Sequence, residues 1–140
     1  MPIRFIPDIA LADVAYEATS NTLKGLFEEC AKGLMEVMVD TRTVKARLKK
    51  TIRISSEDTD RLLYDLLTEL IIVKDVDSLL FRSFRVALGK DAKSLVCVAA
   101  GEKIDRERHA LRNDAKAVTM HMFGIRRRGK ALKATIVLDI

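Results

Sequence analysis

Two stripes of apolar residues limit what this chain can fold into. Leu23, Leu26, Phe27, Cys30, Ala31, Leu34 and Met38 recur at steps of three and four, and so do Leu62, Leu63, Leu66, Leu67, Leu70 and Ile71. That period puts each set on one face of an α-helix, and each face needs another layer to bury it. Ser20-Asn21-Thr22 supplies cap candidates for a first helix over residues 22–38. Ser55-Ser56-Glu57-Asp58 supplies a serine cap and acidic charge for a second, ending near residues 73–74.

The rest of the chain reads with a period of two or in short apolar runs. Residues 2–6 form a short edge strand, and an extended segment follows Pro7 within residues 8–18. From Val44 to Ile54 apolar residues alternate with Lys45, Arg47, Lys49, Thr51 and Arg53, which predicts a half-buried strand with a basic outer face. Residues 80–88 alternate with Arg82 as the exception, and Gly89-Lys90-Asp91 turns into a strand over residues 94–100 that stops at Gly101. Residues 115–125 and 132–138 give two more strands, joined by Arg126-Arg127-Arg128-Gly129-Lys130. Helices that connect strands without alternating regularly with them predict an α+β fold: two amphipathic helices packed on mostly antiparallel β-sheet, in one domain over residues 1–140.

Composition narrows the class. With 49% hydrophobic and 32% charged residues the chain can bury a core without staples. Cys30 and Cys97 form no CxxC pair and read as small buried hydrophobes. No apolar run approaches the ~18 residues needed to cross a bilayer, and the first residues are unlike a signal peptide, so a cytoplasmic protein with no membrane partner is expected. A net charge of +5 permits an acidic or nucleic-acid partner. No nucleophile elbow, phosphate loop, zinc motif or dinucleotide fingerprint is present, which argues against an enzyme with its own covalent or acid-base machinery.

Polar groups concentrate between residues 101 and 121, in a charged loop between two predicted strands. His109, beside Arg106, Glu107 and Arg108, is expected in solvent. His121 shares an alternation face with Ala117, Thr119 and Phe123 and is expected to be partly buried. Asp8, Asp13, Asp105 and Asp139 are candidate oxygen ligands for a hard cation, although aspartates at strand ends ordinarily cap turns. Asp139, next to Ile140, is the least ordinary of them.

Taken in order, Ala12-Asp13-Val14, Val37-Met38-Val39-Asp40, Leu62-Leu63-Tyr64 with Glu69-Leu70, Gly101-Glu102-Lys103-Ile104-Asp105, His109, Lys116-Ala117-Val118-Thr119, His121 and Asp139-Ile140 resemble the archease family. The resemblance spans nearly the whole chain. It departs from the family at Ala10-Leu11, where His-Thr is usual, and at Met120, where Tyr is usual. It implies a small non-enzymatic activator of the tRNA-splicing RNA ligase, promoting guanylylation and multiple turnover and widening nucleotide use. It implies a divalent cation, calcium first with magnesium or manganese as alternatives, held by Asp13, Asp139 and main-chain oxygens of Ile140. Lys103, Asp105 and His121 are the expected partner contacts. The alternative, drawn from the basic strand face, is an RNA-binding chaperone or a modulator of tRNA methylation, with tRNA or a tRNA methyltransferase as partner.

Overall fold

A computed structural model describes residues 2–6 and 13–140. Pro7, Asp8, Ala12 and the Ala10-Leu11 pair lie outside the described residues. In chain order the elements are β1 (Ile3–Ile6), β2 (Asp13–Ser20), α1 (Leu23–Met38), β3 (Leu48–Ser55), α2 (Thr59–Asp77), β4 (Leu79–Leu88), β5 (Ser94–Lys103), β6 (Ala117–Val118), β7 (Gly124–Arg128) and β8 (Ala131–Asp139). One sheet runs β1-β2-β8-β6, with β7 also on β8, and the other runs β3-β5-β4. All described pairings are antiparallel, so the α+β expectation holds.

Helix α1 starts as its sequence requires, with the Thr22 hydroxyl accepting from the Gly25 N–H at 3.0 Å. It lies between the sheets, against β2 and β8 on one side and β4 on the other. Gly33 makes the first contact possible, because a Cβ there would come within 2.5 Å of the Tyr16 ring. The ring is fully buried, and its hydroxyl donates to the Cys30 carbonyl at 2.6 Å. On the other side Glu28 accepts the Val86 N–H at 2.8 Å, giving an edge strand's amide a charged acceptor. Cys30 and Cys97 are buried free thiols, and burial pushes Cys97 up to about 12.

Helix α2 differs from the expectation at both ends. Asp58 is the cap, accepting from the Arg61 N–H at 2.8 Å, while Ser55 is the last residue of β3. Asp75 and Asp77 lie in the helix's last turn, which ends at left-handed Ser78. Cations offset that charge at the negative helix end: Lys74 pairs with Asp75, and Lys103 donates to the Asp77 carbonyl at 2.6 Å.

Three strand expectations are also corrected. β3 begins at Leu48, because Thr41–Thr43 forms a turn of 3-10 helix and the chain reaches the sheet only after residues 44–47. β5 runs past Gly101 to Lys103. A β-bulge shifts the register between Phe81 and Ser83 and leaves Arg82 as the extra residue, which explains the broken alternation. Gly101 faces that bulge, where a Cβ would overlap the Leu80 carbonyl oxygen. The expected strand over residues 115–125 divides into β6 and β7 around a turn at residues 121–122, with Met122 at φ 55. Both pieces pair with β8, and Arg126 to Arg128 belong to β7 rather than to the turn.

The inner faces of both sheets and the buried faces of both helices form one hydrophobic core. In the second sheet Ile52, Val86, Leu95, Cys97 and Ala99 point into it. The opposite face carries the rows Lys49–Ala100–Ser83, Thr51–Val98–Arg85 and Arg53–Val96–Ala87, all exposed or half-buried. No helix among the described residues is long and apolar enough to cross a membrane.

Candidate functional site

Strand pairing brings two predicted ligands together. Asp13 on β2 stands opposite Asp139 on β8, and Ala117 on β6 stands on the other side of Asp139. Opposed residues of an antiparallel pair share a face, with Cβ atoms about 4.5–5.5 Å apart. Two carboxylates therefore crowd one corner of the sheet beside a small alanine. The sheet's cations gather instead on Glu17, four residues along β2, which pairs with Arg4 at 3.0 Å, Arg126 at 3.1 Å and Lys133 at 4.0 Å. Arg4, as the nearest donor, holds the Glu17 carboxyl below the usual range. Among the described residues no ion pair reaches Asp13 or Asp139.

The chain beside this corner is pinned from two sides. The Lys116 N–H donates to the Asp139 carbonyl at 2.8 Å. Upstream, the Arg112 and Asn113 N–H groups donate to Met38 and Val37 carbonyls at 2.7 and 3.1 Å, filling acceptors at the end of α1. Lys74, only 6% exposed, reaches across from α2. Its ammonium donates to the Ala115 carbonyl at 2.9 Å and pairs with Asp75 at 2.9 Å and with Asp114. Lys116 was not singled out from the sequence as a site residue. Only the pairing of β6 with β8 puts it there.

The donor set fits a hard divalent cation. Carboxylate oxygens and the main-chain oxygens of half-buried Ile140 are the ligand type that calcium, magnesium and manganese take. No third histidine, cysteine, aspartate or glutamate side chain joins the pair among the described residues. Remaining positions would fall to main-chain oxygens and water.

The stretch from residue 101 to 121 is built differently from its sequence expectation. Glu102, 4% exposed, is the hub of a polar lock. It accepts from Arg108, from the Lys45 N–H at 2.6 Å and from His109 Nε2 at 3.0 Å, while Arg47 lies 3.5 Å away. His109 is buried rather than solvated, because its Nδ1 accepts the Asp105 N–H at 2.9 Å. That bond places the ring proton on Nε2, aimed at Glu102. Arg108 foremost, then His109 and the Lys45 amide, hold the Glu102 carboxyl down at about 2. His121 is the reverse: it is exposed, in the turn between β6 and β7, because the strand that would have buried it is interrupted there.

The three expected partner contacts do not join the aspartate pair as one cluster. Lys103 and Asp105 line a shallow hollow of about 800 Å³ together with Arg47, Arg106 and Arg108. His121 belongs to the β6–β7 turn, whose exposed Met120 lies with Phe123 against the start of α2. Glu102 and His109, seven residues apart, were both in view in the sequence, but nothing in their spacing announced the contact.

Comparisons with known proteins agree along almost the whole chain. The family model described as the Archease protein family matches residues 5–140. A protein archease of Methanothermobacter thermautotrophicus is 38% identical over 131 residues, covering 92% of this chain and 93% of that one. One from Thermococcus gammatolerans is 37% identical over 112 residues, covering 79% of each. The solution structure of a Methanobacterium thermoautotrophicum protein superposes with TM-score 0.86 at 35% identity, covering 99% of both chains. A Thermotoga maritima crystal structure, described as an archease and possible chaperone, shares the fold with TM-score 0.67 at 22% identity over 96% of both chains.

Proposed function

This chain belongs to the archease family, and from that premise we propose that it is a non-enzymatic activator of the tRNA-splicing RNA ligase. It would promote guanylylation and repeated turnover of that enzyme and widen its nucleotide use. The observation that carries the reading is the facing of Asp13 and Asp139 with no cationic side chain paired to either among the described residues. Two opposed carboxylates repel each other unless something positive lies near, so the corner is arranged to receive a cation from outside.

Asp13, Asp139 and the Ile140 main-chain oxygens would hold a divalent ion, with calcium the first choice. A bound ion supplies positive charge able to steady phosphate oxygens at the ligase's nucleotide site. The chain's own residues do the rest. Lys74 and the amides of residues 112, 113 and 116 hold the neighbouring loop in register with β8. Ala117 keeps the face over Asp139 open, and exposed Lys116 adds a nearby positive group. Lys103, Asp105 and His121 are proposed as contacts to the ligase surface.

The test is a ligation time course with RNA in excess over ligase. Added protein should convert a single-turnover burst into continuing product formation, and Asp13→Ala should abolish the gain. Equal turnover with and without the protein, in the presence of calcium or magnesium, would refute the proposal.

A further inference from the structure

The outward face of the β3-β5-β4 sheet has no covering layer among the described residues, since both helices pack against its other side. Its centre is a half-buried strip of Val96, Val98 and Ala100 on β5. Lys49 and Arg53 flank the strip from β3, and Arg85 flanks it from β4. No acidic residue occupies any of the three rows. Elsewhere on the chain arginines are commonly tied to carboxylates, as Arg4, Arg42, Arg61, Arg108, Arg112 and Arg126 are. Among the described residues no ion pair engages Lys49, Arg53 or Arg85.

We propose that this sheet face binds the phosphate backbone of double-stranded RNA, through Lys49, Arg53 and Arg85. The three charges are spread over a flat surface: four residues along β3 span about 13 Å, and β3 and β4 lie about 10 Å apart across β5. That spread suits a repeating polyanion better than a single carboxylate. The side chains between them are small, so a broad, rigid partner can approach closely. No aromatic residue lies in the rows, which removes the stacking platform that single-stranded bases need and leaves recognition to shape and phosphate. No large apolar side chain projects from them, so an anchor for a protein hot spot or a membrane is also missing. Of the basic residues read from the sequence, Arg47 is held by Glu102 and Lys45 precedes the strand, so the binding surface shifts toward Arg53 and gains Arg85. This site is separate from the aspartate pair, and it adds direct RNA contact by the activator itself to the ligase reading.

The experiment is fluorescence anisotropy with a labelled 16-base-pair RNA duplex between 50 and 200 mM NaCl, with circular dichroism to check that each variant is folded. Three phosphate contacts predict that affinity falls about 40-fold across that range. Lys49→Gln, Arg53→Gln and Arg85→Gln should each weaken binding and flatten the log–log salt slope by about 1, while Lys130→Gln leaves it unchanged. No binding at 50 mM, unchanged affinity in the folded triple variant, tighter binding to a single strand of equal length, or displacement by poly-glutamate at equal charge each overturns the assignment. The last result would make an acidic protein the partner of this face.

Discussion

Asp13 and Asp139 face one another across neighbouring strands at opposite ends of the described sequence, with no cationic side chain paired to either among the described residues. Their repulsion and the ligand role proposed for them make opposite demands on the same substitution. In chelator, Asp13→Asn should raise stability by up to ~1 kcal/mol by removing a like-charge pair. In calcium, the original protein should gain about 2.7 kcal/mol at a hundredfold excess over Kd, and the variant should gain nothing. Thermal melts of both proteins in both buffers check the pair of signs.

Glu102 makes stability depend on acid. Its carboxyl is held from the usual 4.5 down to about 2, with Arg108 the leading cause. The folded chain therefore keeps the charged form to lower pH than the unfolded chain does. The contribution is complete above about 4.5 and is lost as pH falls toward 2. Melting temperature measured across that window should fall more steeply for the original protein than for Glu102→Gln.

The two histidines should separate cleanly. His109→Ala leaves buried Glu102 without one donor and the Asp105 amide without an acceptor, a loss of about 1–3 kcal/mol. His121→Ala, on the surface, should stay within about 0.5 kcal/mol. Urea unfolding at neutral pH distinguishes them.

Lys74 is a buried cation whose carboxylate partners are mostly in water, Asp75 at 56% and Asp114 at 70% exposure. Lys74→Met should cost about 1–3 kcal/mol through the unpaired Ala115 carbonyl, whereas Asp114→Asn should cost under about 1 kcal/mol. The midpoint of urea unfolding is again the readout.

Gly101→Ala drives a methyl group into the Leu80 carbonyl and to 2.7 Å from the Phe81 Cα. The atoms it meets are all backbone of β4, which leaves little room to yield, and a loss of about 1–3 kcal/mol or more is expected. Gly129→Ala meets no atom within 4 Å, so only its positive φ resists the change. Comparing the two variants separates steric overlap from backbone strain.

The apolar stripes carried the helices into view because burial on one face imposes a period that few other arrangements satisfy. Leu26, Phe27, Cys30 and Leu34 are all buried as that period requires. End points were less legible. Ser55 and Asp58 both offer a cap, and only the length of β3 decides between them. Gly101 looked like the end of a strand because glycine commonly marks one, yet here it marks the tight passing of β5 and β4. The facing of Asp13 and Asp139 is a register fact between distant segments. The residues themselves did not carry it, and the family resemblance proposed the two as ligands without showing that they are strand neighbours. His109 and His121 exchanged environments for a related reason: burial of one depends on Glu102 across a loop, and exposure of the other on a turn that splits a strand.

The pairing of β2 with β8 joins segments separated by nearly the whole chain. Closing so long a loop costs entropy that no local contact repays, so this ladder is expected to assemble after the helices and the β4–β5 hairpin. A nascent chain, or one truncated before β8, has Asp13 but no Asp139 facing it. Under the proposed function, cation uptake at that corner would thereby certify completed folding, because only a finished molecule has both carboxylates in place.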